Sequence, residues 1–91
     1  MTDNAVRKYV VDWLDDNYHF GDTETLLAGD DEKSFLRNGI LDSLGFVKLM
    51  LFLEDTFTVK IDRKDVRPEN FDSLAKIIRY ISVMPDFRVP A

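Results

Sequence analysis

The chain has 91 residues, of which 45% are hydrophobic and 32% charged, with a formal net charge of −5. A chain of this length forms one small domain with a modest core. It contains no cysteine, which excludes disulfides, zinc sites with thiolate ligands and cysteine nucleophiles. The acidic balance argues against nucleic-acid binding, which depends on neutralising phosphates.

The acidic excess lies entirely in the first half of the chain. Residues 1–41 contain 9 Asp and Glu against 4 Lys and Arg, whereas residues 42–91 contain 8 of each. The first residues lack the apolar run of a signal peptide. The longest apolar run, 49–53, is far too short to cross a bilayer. We therefore expect a cytoplasmic monomer that does not insert into membranes.

The first predicted helix runs from about Asp3 to about Tyr18, and Gly21 is expected to end it. Its apolar residues recur at the spacing of one buried stripe, formed by Val6, Tyr9, Val10, Trp13 and Leu14. His19 is the only histidine in the sequence. Without a second imidazole or a thiolate as a partner, it is expected to be an ordinary helix-end residue.

A long connection follows, from Phe20 to Leu41. Its regularly placed apolar residues predict that it wraps around the helices, with a short helical turn near residues 23–28. The acidic group 30–32 lacks the order of ligands that an EF-hand requires, so we expect a solvated loop and no metal site.

The second main helix is predicted from Ser43 to about Phe57 and carries two apolar faces. The core face contains Phe46, Leu49, Met50, Leu53 and Phe57. The opposite face contains Leu44, Val47 and Leu51, together with Lys48 and Asp55. Apolar residues in a row on an outer helix face indicate a partner surface. The alternative is that the long connection folds over them.

The remaining segments complete an all-α prediction. Residues 58–61 are expected to form an extended link that buries Val59 and Ile61, followed by a short helical turn that Asp62 caps and Pro68 ends. The last helix is expected to start near Asp72 or Ser73, either of which can cap it, and Pro85 is expected to stop it. The predicted domain is a four-helix bundle over 1–84, with three main helices, a short third helix and a flexible tail at 85–91.

Enzymatic motifs are missing around Ser43. The sequence has no G-x-S-x-G element and no Gly-rich phosphate loop, so we expect that the chain is not an enzyme. The start of a helix does favour an anionic group, because its N–H groups lack partners and the helix dipole is positive there. A serine at this position suits the attachment of a phosphodiester.

The tripeptide Asp42-Ser43-Leu44, at the head of an apolar helix that ends in Leu-Glu-Asp-Thr-Phe at 53–57, resembles the attachment site of the acyl carrier protein family. The resemblance extends over most of residues 5–82. It implies that a phosphopantetheinyl transferase attaches 4′-phosphopantetheine from coenzyme A to Ser43, making the chain a phosphoprotein. The arm would hold an acyl or aminoacyl group as a thioester, and Asp42 and Leu44 would flank the site as parts of the recognised motif.

The resemblance also implies that partner enzymes dock on the outer face of the second helix. The predicted docking residues are Leu44, Val47, Lys48, Leu51, Asp55, Arg63 and Lys64. Carriers of bacterial fatty acid synthesis usually have acidic residues two and five positions after the serine, where this chain has Gly45 and Lys48. We therefore expect a specialised stand-alone carrier for a lipid, polyketide, peptide or aminoacyl pathway, served by its own loading ligase and a downstream synthase or transferase. Gly45 costs about 1 kcal/mol of helix stability against alanine, and we expect it to loosen the surroundings of the serine.

One other class of function fits the same residues. An unmodified helical adaptor could bind a partner through Leu44, Val47 and Leu51, with Ser43 acting only as a helix cap. A helix-turn-helix DNA binder is a weaker option because of the charge balance.

Overall fold

The structure is a computed structural model that describes residues 2–90, and the side chains from Asn4 onward. Within these residues the chain is all-helical and has no β-strand. The α-helices are α1 (Thr2–Leu14), α2 (Thr23–Leu27), α3 (Ser43–Phe57), α4 (Pro68–Phe71) and α5 (Leu74–Ile81). Met1 and Ala91, the ends of the predicted domain and tail, lie outside the described residues.

Helix α1 buries the stripe that its spacing predicts. Val6, Val10 and Leu14 are fully buried, and Val11, which the prediction left out, is buried beside them. After Leu14 the helix continues through one wider π-helical turn, Asp15–His19. The left-handed backbone that ends it begins at Phe20, with φ 49°, one residue before the predicted stop at Gly21.

Helices α1 and α3 pack through aromatic rings. The rings of Trp13 and Phe52 stack with centroids 5.5 Å apart, and those of Tyr9 and Phe57 meet edge to face at 5.7 Å. Of the predicted core face of α3, Phe46 is only partly buried, and the other four residues are buried. The core of the domain therefore lies between α1, the inner face of α3 and α5.

The acidic group of the long connection is solvated, as expected, with two of its residues exposed and Asp31 half-buried, but ion pairs also tie it to the helices. Arg7 on α1 contacts Asp31 with Nε–Oδ2 at 2.9 Å and Glu24 with Nη1–Oε2 at 2.6 Å. Arg79 on α5 contacts Glu32 at 3.1 Å. Two of the three residues in the acidic group thus anchor the connection to the first and last helices.

The segment between α3 and α5 departs from its prediction at one residue. Val59 and Ile61 are buried in the extended link, and Asp62 caps a 3₁₀ turn over Arg63–Asp65 by accepting from the N–H of Lys64 at 3.1 Å, as predicted. Pro68, however, opens α4 rather than merely ending the preceding turn. Proline suits the first helical position, where its missing N–H would have no partner and its φ is already helical.

Helix α5 begins at its predicted cap and ends early. The Ser73 hydroxyl accepts from the N–H of Lys76 at 3.1 Å. The helix ends at Ile81, four residues before Pro85, so the proline is not what stops it. In the segment predicted as a flexible tail, the Phe87 ring stacks on Phe57 at 5.6 Å and the N–H of Arg88 donates to the Phe57 carbonyl at 2.9 Å.

No helix within residues 2–90 combines the length and the apolar character that crossing a bilayer requires.

Candidate functional site: the start and outer face of helix α3

Ser43 is the first residue of α3, and the residue before it forms the helix cap. Asp42 has an extended backbone, and its Oδ1 accepts from the N–H of Gly45 at 2.7 Å. The Asp42 carbonyl accepts from the N–H of Phe46 at 3.0 Å. Asp42 therefore fulfils the capping role, and the exposed hydroxyl of Ser43 makes no hydrogen bond within the described part of the chain.

The backbone that leads into Ser43 is held by hydrogen bonds and by two buried side chains. The N–H groups of Ile40 and Leu41 both donate to the Phe35 carbonyl, at 2.8 and 3.3 Å. Both side chains are buried, so they fasten the two residues to the core. The His19 ring bonds through Nε2 to the Ile40 carbonyl at 2.8 Å.

A buried carboxylate fixes the preceding loop to the start of α5. Asp72 is 8% exposed, and its carboxylate accepts from the Ser34 hydroxyl at 2.5 Å and from the N–H of Leu36 at 3.0 Å. The Asp72 carbonyl also accepts from the N–H of Phe35 at 2.8 Å. The sequence marked Asp72 only as a candidate helix cap, because its partners lie 36 and 38 positions away in the chain.

Gly45 has a packing role rather than a loosening one, so that expectation needs correction. The residue is buried, and a Cβ placed on it would lie 2.8 Å from Cδ2 of Leu41 and 3.5 Å from the hydroxyl of Tyr18. The missing side chain therefore lets Leu41 and Tyr18 approach the first turn of α3 closely.

The outer face of α3 is open. Leu44, Val47 and Leu51 are 61%, 56% and 57% exposed. The long connection does not cover them, so the alternative in which it folds over this face is wrong. Leu36 and Val66, which line a groove together with Val47, are also exposed, at 41% and 43%.

The structure brings only some of the predicted docking residues together. Arg63 shares a groove of about 380 Å³ with Val47 and Leu51, and the groove is completed by Met50, Glu54, Ile61 and Val66. Lys48, Asp55 and Lys64 are exposed but line none of the described grooves that contain Ser43 or Val47. The nitrogen of Lys64 lies 3.9 Å from Asp62, a weak exposed pair.

Ser43 lies between two grooves on the surface. One, of about 200 Å³, is lined by Leu36, Ser43, Phe46, Val47, Val66, Arg67 and Pro68. The other, of about 460 Å³, is lined by Tyr18, His19, Leu36, Gly39, Ile40, Leu41, Asp42 and Ser43. Arg67 is a site residue that the sequence prediction missed, since nothing in the sequence signals that the segment before α4 returns to the start of α3.

The lone histidine lies nearer to the serine than the sequence suggested. His19 is the last residue of the π-helical turn after α1, and Ser43 is the first residue of α3. Both residues line the same groove. Within the described residues no hydrogen bond joins them, whereas nucleophilic activation of a serine needs a base within hydrogen-bond reach. Among the same residues, no group of three or more His, Cys, Asp or Glu is placed to hold a metal ion.

Comparison of the chain with protein-family models, with curated proteins and with solved structures finds no match in any of the three.

Proposed function

We propose that the protein is a carrier that holds an acyl or aminoacyl group as a thioester on a 4′-phosphopantetheine arm attached to Ser43. The observation that carries this proposal is the geometry at the start of α3. Asp42 completes the helix cap, so the neighbouring Ser43 hydroxyl is exposed and has no structural partner in the described chain. A hydroxyl that merely capped the helix would be engaged with backbone N–H groups.

The attachment chemistry needs an accessible oxygen nucleophile and an enzyme that acts on it. The Ser43 oxygen would form a bond to the phosphorus of coenzyme A that carries the pantetheine. The bond from that phosphorus to the rest of the pyrophosphate breaks, 3′,5′-ADP leaves with the electron pair, and the serine proton goes to a base of the transferase. The chain itself contributes only the acceptor, so we propose that it is not an enzyme.

The arrangement of helices supports an acyl-carrier-like bundle. Three longer helices, α1, α3 and α5, enclose the core, and the 3₁₀ turn with α4 lies between the last two. This short helical segment, 63–71, occupies the position in the chain at which we expected a short third helix. The long connection between α1 and α3 supports the same proposal, because the resemblance implies a long loop between the first two main helices.

The open outer face of α3 supports docking of a transferase, a loading ligase and a downstream synthase. Its three apolar side chains are more than half exposed, and Lys48, which lies between Val47 and Leu51 in the chain, is exposed as well. Lysine and Gly45 stand where carriers of fatty acid synthesis usually have acids, which supports a specialised cytoplasmic carrier with dedicated partners. Charge on such a face affects mainly the choice of partner and the rate of encounter.

The same exposed face supports a second candidate function, an unmodified adaptor. Exposed contiguous apolar side chains mark protein-binding sites in general and do not by themselves require a modified serine. The two functions differ in what they require of Ser43.

The deciding experiment is intact mass spectrometry after incubation with coenzyme A, magnesium and a broad-specificity phosphopantetheinyl transferase. For a carrier we expect the gain of one phosphopantetheinyl group in the wild type and none in Ser43→Ala. Ser82→Ala is the matched control, because it removes another serine and should leave the modification intact. A folded wild-type protein that gains no mass would contradict the carrier and leave the adaptor.

A further inference from the structure

The smaller groove beside Ser43 is formed by three separate parts of the chain. Leu36 comes from the long connection, Phe46 and Val47 come from α3, and residues 66–68 come from the segment that leads into α4. The groove thus begins at the candidate attachment point and runs between α3 and the segment that precedes α5.

The side chains that line this groove are mostly apolar, and one of them is a cation. Leu36, Val47 and Val66 are between 41% and 56% exposed, so their apolar surfaces are in contact with water. Arg67 is the only charged residue that lines the groove.

The Arg67 side chain is held near the groove while its outer nitrogens stay available. Its Nε donates to the Lys64 carbonyl at 3.0 Å, and its backbone N–H donates to the Asp65 carbonyl at 2.9 Å. Arg67 takes part in none of the ion pairs found among residues 4–90.

Two acidic residues close to Arg67 in the chain, and the one next to Ser43, are engaged elsewhere or line another groove. The Asp65 carboxylate accepts from the Tyr80 hydroxyl at 2.7 Å. Glu69 lines a different groove, together with Lys76 and Arg79. Asp42 lines the groove on the other side of Ser43 and is fixed by the N–H of Gly45.

We propose that the groove holds the arm carried by Ser43, and that the guanidinium of Arg67 pairs with the phosphodiester. A phosphodiester adds one negative charge next to the existing carboxylate of Asp42, and a planar guanidinium with free N–H groups is well suited to bind it. The apolar walls match the branched, methyl-bearing part of the arm that follows the phosphate. This inference rests on the proposed function, and it adds a binding residue and a resting position for the arm.

The test uses the full chain, modified in vitro and labelled with ¹³C and ¹⁵N. We expect the Nε–H resonance of Arg67 and the amide of Val66 to shift between the unmodified and modified protein, and the ³¹P resonance to differ from that of the same protein unfolded in urea. The shifts should shrink at about 1 M salt, where the screening length is about 3 Å.

Variants of two arginines separate a charge effect from a structural one. Arg67→Gln should move the ³¹P resonance at least halfway to its unfolded value, whereas Arg67→Lys should retain most of the difference because the charge remains. Arg63→Gln is the matched control, since Arg63 lines the neighbouring groove and not the one with Ser43. Circular dichroism checks that each variant is folded.

The possible failures are distinguishable. If mass spectrometry shows that the wild-type protein gains no phosphopantetheinyl group, the proposed function and this inference are both contradicted. If the arm is attached but the ³¹P resonance matches the unfolded value, or changes equally in Arg67→Gln and Arg63→Gln, the carrier stands and the inference is overturned.

Discussion

The two faces of α3 carry the same kind of side chain and differ in what surrounds them. On the inner face Leu49, Leu53 and Phe57 are fully buried, whereas on the outer face Leu44, Val47 and Leu51 are more than half exposed. Burial is therefore set by the neighbouring elements and not by composition. The inner leucines contribute to folding, and the outer ones are available for contacts outside the chain.

The long connection is what leaves the outer face open. It is fastened by Arg7 and Arg79 on one side and by Asp72 on the other, so its acidic group cannot move onto α3 without losing these contacts. A loop held in this way keeps the start of α3 accessible and ties it to the rest of the domain.

The largest expected effect is the difference in stability loss between a leucine on the inner face of α3 and one on the outer face. Leu53→Ala removes a fully buried side chain and should lower the free energy of unfolding by about 2–5 kcal/mol. Leu51→Ala, on the exposed face, should change it by less than about 0.5 kcal/mol. Urea denaturation followed by circular dichroism measures both. Equal losses in the two variants would show that the outer face is also packed.

The next effect tests whether the loop is fixed by its buried carboxylate. Asp72→Ala leaves the Ser34 hydroxyl and the N–H of Leu36 without their acceptor and should cost about 2 kcal/mol in urea denaturation. Asp72→Asn keeps one acceptor oxygen and should cost less. The exposed Asp55→Ala is the control, and a cost for it as large as that for Asp72→Ala would contradict the assignment.

A smaller effect on stability distinguishes the role of Asp42 as a helix cap from its proposed recognition by a transferase. Asp42→Ala should lower the free energy of unfolding by about 1 kcal/mol, because the N–H of Gly45 loses its partner. Asp42→Asn should be nearly neutral, since asparagine caps as well as aspartate. If a transferase also recognises the carboxylate, Asp42→Asn should be modified more slowly than wild type although it is equally stable. An Asp42→Asn variant as unstable as Asp42→Ala would argue against the cap.

The smallest expected effect is the pH dependence of the stability that the ion pair between Arg7 and Glu24 provides. Hydrogen bonding from Arg7 holds the pKa of Glu24 below its ordinary value of 4.5. Its contribution to stability is therefore present above that pH and is lost as the pH falls through the lowered pKa. Because the Glu24 side chain is 57% exposed, Glu24→Gln should cost no more than about 1 kcal/mol at pH 7. Urea denaturation at pH 7 and near pH 3 should show a smaller difference from wild type at the lower pH. A difference that is unchanged between the two would contradict the pair.

Local patterns in the sequence predicted the main elements well. The spacing of apolar residues indicated α1, α3 and α5, and the caps at Asp62 and Ser73 follow from the preference of short polar side chains for helix starts. The start of α4 at Pro68 was not predicted, because a proline can either end a preceding turn or start a helix. The local sequence does not distinguish the two.

What the sequence did not predict are contacts between distant residues. The pairs of Arg7 with Asp31 and of Arg79 with Glu32 join positions 24 and 47 apart. Spacing along the chain carries no information on such pairs, because they depend on how the helices pack. For the same reason Arg67 and Leu36 entered the candidate site only when the fold brought them beside Ser43.

The contact of Phe87 and Arg88 with Phe57 has a practical consequence for immobilising the protein. Phe57 is the last residue of α3 and Ser43 the first, so at 1.5 Å per residue they are roughly 20 Å apart. The returning chain is fastened at the end remote from the serine. A tether or fluorescent reporter joined after residue 90 would therefore start well away from Ser43, and would leave the exposed face of α3 free for partners on a sensor surface.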